Sequence, residues 1–182
     1  VILQGFFGMW TVTLNLWPQV VTLHLLGGFA TLSLLCLLMQ RLGEWHWQAE
    51  ASVVVALMRT RLLATLALVA VIVQIALGGW VSSNYAALAC PDFPLCQNEL
   101  WPHAKFAKGF NFMQHIGPNY LGGMLESEAR VAIHLSHRLG ALVVLVLVSL
   151  LGMKLWRASY APARNMAMVL LAVLALQLSL GV

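Results

Sequence analysis

Apolar runs of membrane-crossing length, separated by short polar stretches, organise this chain. Residues 1 to about 14 read as the outer end of a helix, and Asn15-Leu16-Trp17-Pro18 predicts a tight turn. Trp17 then sits at interface depth and Pro18 at the first position of the next helix. From Pro18 to about Leu38 runs a span of roughly 20 residues, enough for the hydrocarbon core, with His24 as its only ionisable group. Residues 40 to about 58 carry Arg41, Glu44, Glu50 and the cluster Trp45, His46, Trp47. That composition suits an interfacial connector with rings at headgroup depth, and places His46 there rather than at a ligand site. A second span is expected over about 61–81 and a third from about Val131 to Met153, separated by a long polar connection over 82–130. A final helix is expected from near Asn165 to Val182. The pattern predicts an all-α, polytopic transmembrane bundle in three segments, 1–39, 40–60 and 61–182.

Composition fixes the solvent. Hydrophobic residues make up 61% of the chain, charged residues 9%, and the mean hydropathy is +0.85, whereas soluble domains carry roughly 25% charged residues. The formal charge of +4 does not point to nucleic acid, because the basic residues flank the spans instead of forming a patch interleaved with aromatics. Arg41, Arg59, Arg61, Lys154, Arg157 and Arg164 fall on one side, Lys105, Lys108 and Arg130 on the other, and Arg138 within a span. The positive-inside rule puts the first side in the cytoplasm. The connection 82–130 is then external, which is periplasmic if the source is a Gram-negative bacterium with the chain in its inner membrane. With apolar sequence at both Val1 and Val182, the chain reads as a piece of a longer protein.

The polar interruptions carry the chemistry. His134, His137 and Arg138 break an otherwise apolar span. An ionisable group inside a bilayer costs about 2.5–3.5 kcal/mol on insertion scales and therefore faces a cavity, a partner or a cofactor. Histidine is mostly uncharged at neutral pH and is a common axial ligand of heme iron. Interhelical hydrogen bonding is the plainer role for any one of them. His24 lies six residues after Pro18 and His137 six after Val131, so both are expected roughly 9 Å below the outer ends of their spans. His134 and His137, three apart, share nearly one helix face and cannot ligate opposite sides of one iron, so a bis-histidine heme needs a second helix. His137 is the favoured ligand because Arg138 adjoins it and is a candidate partner for a heme propionate, with snorkelling as the alternative. His134, one turn nearer the surface, is a candidate either to support that ligand or to lie on the propionate side of the heme.

An internal repeat points the same way. Gln4-x-x-x-Gly8-x-Trp10 recurs as Gln74-x-x-x-Gly78-x-Trp80, and Gln177-x-x-x-Gly181 opens a third copy. Small-residue packing explains a glutamine and a glycine in any one helix, but not one spacing in three helices of the same direction. The repeat predicts duplicated helical pairs. By that symmetry a further histidine is expected about 20 residues after Gln177, and a Glu-x-x-His-Arg segment before Val1.

The cysteines divide by position. Cys36 is expected to be a small buried residue. Cys90-Pro91-Asp92-Phe93-Pro94-Leu95-Cys96 lies in the external connection, where an oxidising compartment permits a disulfide and the prolines bend the segment. Zinc spacing does not match. Thiol exchange, or holding the loop over a site, stands beside a purely structural role. His103 and His115 are expected to be solvated.

Together Gly78-Gly79-Trp80-Val81-Ser82-Ser83-Asn84-Tyr85-Ala86-Ala87-Leu88-Ala89-Cys90, the Cys-Pro-Asp-Phe-Pro-Leu-Cys loop, Ile116-Gly117-Pro118-Asn119-Tyr120 and Ala132-Ile133-His134-Leu135-Ser136-His137-Arg138-Leu139-Gly140-Ala141 resemble the bacterial heme A synthase family. The resemblance covers essentially the whole chain. It implies eight helices in two similar four-helix halves, of which this chain is the third through most of the seventh. It implies oxidation of the C8 methyl group of heme O to the formyl group of heme A by successive hydroxylations. His24 matches a heme ligand of the N-terminal half and His137 one of the C-terminal half, which holds heme B. The trans ligands, and the glutamate assigned to the chemistry, match positions outside this chain, and His134 stands where that glutamate would fall in the C-terminal half. Cys90 and Cys96 match an external pair tied in one branch of the family to redox input or stability. Heme O synthase, an electron donor and further copies of the chain are the implied partners. A diheme b-type electron carrier would use similar histidines without heme O, with a quinone-reactive protein as its neighbour. A transporter would explain the repeated helices but not the matched histidines.

Overall fold

The computed structural model describes residues 1–43, 49–113, 115–116 and 125–181. The aromatic cluster at Trp45, His46 and Trp47, and the segment Gly117-Pro118-Asn119-Tyr120, lie outside the described residues. The element order is α1 (Ile2–Thr13), α2 (Pro18–Leu42), α3 (Ala51–Met58), α4 (Arg61–Ser83), α5 (Phe106–Gly109), α6 (Ser127–Trp156) and α7 (Ala161–Gly181). No strand occurs among the described residues, and α2, α4, α6 and α7 are each long and apolar enough to cross a membrane. The chain is thus a multi-pass helical membrane protein.

Element boundaries follow local chemistry. The α1–α2 turn places Asn15 and Leu16 in the left-handed region, at φ 49° and 56°, tolerable for asparagine and costly for leucine. Pro18 opens α2, where its missing N–H has no intrahelical role. The connector is not wholly irregular, because Ala51–Met58 forms α3. Helix α6 begins one turn earlier than expected, at Ser127, where the loop's Lys105 pairs with Glu128 and Lys108 with Glu126 at 3.0 Å. His137 is therefore ten residues from its helix start and His24 six, so depths counted from helix ends do not coincide. Helix α7 also starts earlier, at Ala161-Pro162.

The described chain divides into two compact units, each taken by itself. The first comprises Val1–Met39 and Val73–Gly140. In it the connection 82–130 is packed over helix ends: Trp80, Val81, Ala86 and Ile133 form one buried cluster, and Cys90, Cys96, Val131 and Leu135 another. Trp80 donates its indole N–H to the Gly109 carbonyl at 2.9 Å. Gly109 lies so close to α6 that a Cβ there would stand 2.7 Å from the Ala129 oxygen, which only glycine permits. The second unit comprises Gln40–Ile72 and Ala141–Val182. Its core is Ala67, Val148 and Leu151, and Gly152 admits Leu171 of α7 at close range, the small-residue contact that brings membrane helices together.

Cys36 is exposed, not buried as expected. The reason is the solvent: leucines on the same helix, among them Leu34 and Leu37, are exposed too, and in hydrocarbon an apolar side chain gains nothing from turning inward. His103 and His115 are exposed, and His103 lies 3.5 Å from Glu128.

Candidate functional site

The repeated glutamines converge on the histidines. Across the α1–α2 pair, Gln4 Nε2 lies 3.0 Å from His24 Nδ1 and also donates to the His24 backbone carbonyl. Across the α4–α6 pair, Gln74 Nε2 lies 3.1 Å from His137 Nδ1 and 3.4 Å from its Nε2, and donates to the His137 carbonyl at 3.0 Å. One amide thus grips the ring and the main chain of the same residue, in two places separated by half the chain.

The glycines supply the room. A Cβ at Gly8 would stand 3.2 Å from His24 Cε1, and one at Gly78 would stand 3.3 Å from His137 Cε1. Each ring therefore rests on the glycine one turn beyond its glutamine. A second pair of glycines admits the glutamines: a Cβ at Gly27 would collide with Gln4 Oε1, and one at Gly140 with Gln74 Oε1. Gly79 faces the other way, toward Thr22 and Leu25 of α2. The working unit is therefore Gln-x-x-x-Gly on one helix and His-x-x-Gly on its neighbour. The second half was legible as His24-Leu25-Leu26-Gly27 and His137-Arg138-Leu139-Gly140, and sequence reasoning missed it. The third copy meets nothing here: Gln177 is exposed and no atom lies within 4 Å of a Cβ at Gly181.

The two other polar groups of α6 do different work. His134 Nδ1 lies 2.9 Å from the Ala86 carbonyl, which can only accept, so Nδ1 carries the proton and Nε2 keeps its lone pair. Arg138 donates to the carbonyls of Leu95, Cys90 and Asp92 at 2.7, 3.0 and 2.9 Å, and its guanidinium stands 5.6 Å from the Phe93 ring centroid. The arginine named as a candidate propionate partner grips the cysteine loop. Cys90 and Cys96 are bonded in the structure, with Cα atoms 4.5 Å apart. Asp92 closes the loop by accepting the backbone N–H groups of Asn98 and Gln97 at 2.8 and 2.7 Å. Those bonds, Asn98 first, hold its carboxyl below the usual carboxylate range, with Arg138 contributing charge.

These surroundings fit a heme better than a bare metal ion. Among the described residues no three His, Cys, Asp or Glu side chains converge on one point, whereas one histidine per helix is what an axial ligand requires. Beside His24 lies an open groove of about 320 Å³ lined by Gln4, Leu25, Gly28, Phe29 and Leu32. Its walls are apolar apart from Gln4 and His24, as a macrocycle face demands. Gln74 Oε1 is buried without a hydrogen-bond partner in the notch at Gly140.

Apolar membrane-length helices that carry two half-buried, glutamine-gripped histidines and one bridged loop define a class, the multi-pass membrane protein with paired histidines within its spans. Residues 1–182 match the family described as cytochrome oxidase assembly protein (COX15-CtaA), and the chain belongs to that family. It is similar to the heme A synthase of Shewanella oneidensis, with 41% identity over 185 residues covering 100% of this chain and 54% of that protein. The chain spans about half the length of that curated relative. No solved structure matches it.

Proposed function

We propose that this chain is part of a heme A synthase, an oxidoreductase that converts the C8 methyl group of heme O to a formyl group by successive hydroxylations. The observation that carries the reading is the duplicated Gln–His grip in a chain of this family. His24 in the N-terminal half and His137 in the C-terminal half would each hold a heme through an imidazole nitrogen, the heme at His137 being heme B. Heme supplies the electron-transfer and oxygen chemistry that no side chain can. The chain's own residues position and enclose. Gln4 and Gln74 fix the rings, His134 and Arg138 tie the connection 82–130 to α6, and Cys90–Cys96 acts as a disulfide that keeps that connection short. This chain contributes half of each bis-histidine site, so alone it binds heme weakly and does not catalyse the oxidation.

The segments 1–39, 40–60 and 61–182 would be the end of one helical half, a cytoplasmic connector and most of the second half. The loop 82–130 faces the periplasm of a bacterial inner membrane. Its Lys105 and Lys108 are neutralised by Glu126 and Glu128, which leaves the positive excess on the opposite side.

The near-identity of the two grips favours one rival, a diheme b-type electron carrier. Extraction of heme from the purified full-length protein, followed by chromatographic separation, decides between them. Heme O or heme A beside heme B is the expected result, and heme B alone would establish the carrier.

A further inference from the structure

We propose that Gly79 is a positioning residue through which the α4–α6 pair shapes the histidine site of the α1–α2 pair: its missing Cβ lets Leu25 keep its place in the wall of the groove beside His24. The inference rests on the reading of His24 and His137 as heme ligands.

The repeat itself does not ask for this glycine. In Gln4-x-x-x-Gly8-Met9-Trp10 and Gln74-x-x-x-Gly78-Gly79-Trp80 the glutamine, the first glycine and the tryptophan recur, while Gly79 stands where the first copy has Met9. Met9 is exposed and serves no part of the grip. Gly79 answers to α2 instead, since a Cβ there would stand 3.1 Å from Leu25 Cδ2 and 3.4 Å from both Cγ2 and Oγ1 of Thr22. Thr22 and Leu25 are three apart and share a face of α2. Gly79 lies where α4 crosses that face, a small residue admitting a close approach of two membrane helices, and the burial of Thr22 Oγ1 shows how tightly the crossing closes.

Leu25 carries the contact onward. It follows His24 in sequence and lines the groove together with Gln4, Gly28, Phe29 and Leu32, so one side chain faces both α4 and the groove of the other pair. In the second pair the same place is held by Arg138, which grips the loop. Distance decides how a side chain at 79 acts. At 3.1 Å from Leu25 Cδ2 a new Cβ is inside the separation of about 3.5–4.0 Å at which carbon atoms attract best. The atom it meets is the far end of a leucine with other staggered rotamers, so the leucine yields before either helix does. The change therefore falls on the groove wall beside His24. Gly78, one residue away and about 100 degrees round the helix, still supports the His137 ring.

The test uses the full-length protein loaded with heme, its low-spin signals in electron paramagnetic resonance assigned through His24→Ala and His137→Ala. Gly79→Ala shifts the g values of the His24-dependent signal and leaves the His137-dependent signal at its wild-type values. Leu25→Val removes the atom that the new Cβ meets, so in that background Gly79→Ala adds no further shift. Gly5→Ala, at a position with nothing within 4 Å, moves neither signal. Should Gly79→Ala lose the heme at His24, its return in the Gly79→Ala, Leu25→Val double variant carries the proposal, and its continued absence there overturns it. An unshifted His24-dependent signal in Gly79→Ala, a matching shift of the His137-dependent one, or an equal shift with and without Leu25→Val would also overturn it. Wild-type protein without a His24-dependent low-spin signal would instead overturn the ligand reading on which it rests.

Discussion

The α1–α2 and α4–α6 pairs share a histidine grip and differ in what surrounds it. Three residues before the histidine the first pair has Val21 and the second His134; one residue after, the first has Leu25 and the second Arg138. The tryptophans of the repeat diverge as well: Trp10 is 39% exposed, whereas Trp80 is 4% exposed and bonded to Gly109. His134, Arg138 and the buried Trp80 of the second pair all engage the connection 82–130, through the carbonyls of Ala86, Cys90, Asp92 and Leu95 and through Gly109. The glutamine and the glycines that recur in both pairs serve the histidine, His134 and Arg138 occur once and serve the loop, and the recurring tryptophan serves the loop in the second pair. On that division His137, not His134, is the counterpart of His24.

The largest expected effect lies within α6. In the full-length protein His137→Ala should abolish the low-spin spectrum of the C-terminal heme, while His134→Ala should keep it and only loosen the loop. Absorption spectra of the two variants would show this, and the reverse outcome would assign the grip to the wrong ring. Next come the notches. Gly27→Val and Gly140→Val force a side chain into space held by Gln4 and Gln74, and each should cost about 1–3 kcal/mol, read as a lower unfolding temperature. Gly5→Val, where nothing lies within 4 Å, is the control and should leave it unchanged.

Of this, the grip was half legible. Gln4-x-x-x-Gly8 and Gln74-x-x-x-Gly78 recur at fixed spacing on separate helices, and a repeat of that kind survives in one dimension. Gly27 and Gly140 recur as faithfully but sit beside leucines in apolar spans, where a glycine draws no notice until the glutamine is seen to occupy its missing Cβ. The partners of Arg138 left no trace at all, because backbone carbonyls are acceptors at every position. The four membrane-length helices were legible from hydropathy, whereas the start of α6 was not, since its first turn is held by the ion pairs of Glu126 and Glu128 rather than by burial. Cys36 was misjudged by applying the inward rule of water-soluble proteins to a residue in lipid.

Smaller effects sharpen the loop's side of the comparison. Arg138→Gln removes charge-assisted bonds to three carbonyls, a loss on the order of 2 kcal/mol for the loop, and should speed limited proteolysis between Cys90 and Lys105 without removing heme. Reduction, or Cys90→Ser, should act in the same direction by about 2 kcal/mol. Thiol alkylation with and without prior reduction, read by mass, checks the bond itself, and two free thiols in protein isolated without reductant would refute it. The smallest effect is that of acid. Because the folded-state pKa of Asp92 is depressed, its contribution is complete above the ordinary value of 3.8 and is lost as pH falls through the depressed one. Loop proteolysis should therefore accelerate only below about pH 4, and Asp92→Asn should abolish that dependence.

The central claim is that His24 and His137 hold separate hemes in equivalent grips. Electron paramagnetic resonance of the full-length protein carrying His24→Ala or His137→Ala tests it most directly. Each variant should lose one low-spin signal and keep the other, with the two losses complementary. Loss of the same signal in both variants, or of neither, would contradict the account.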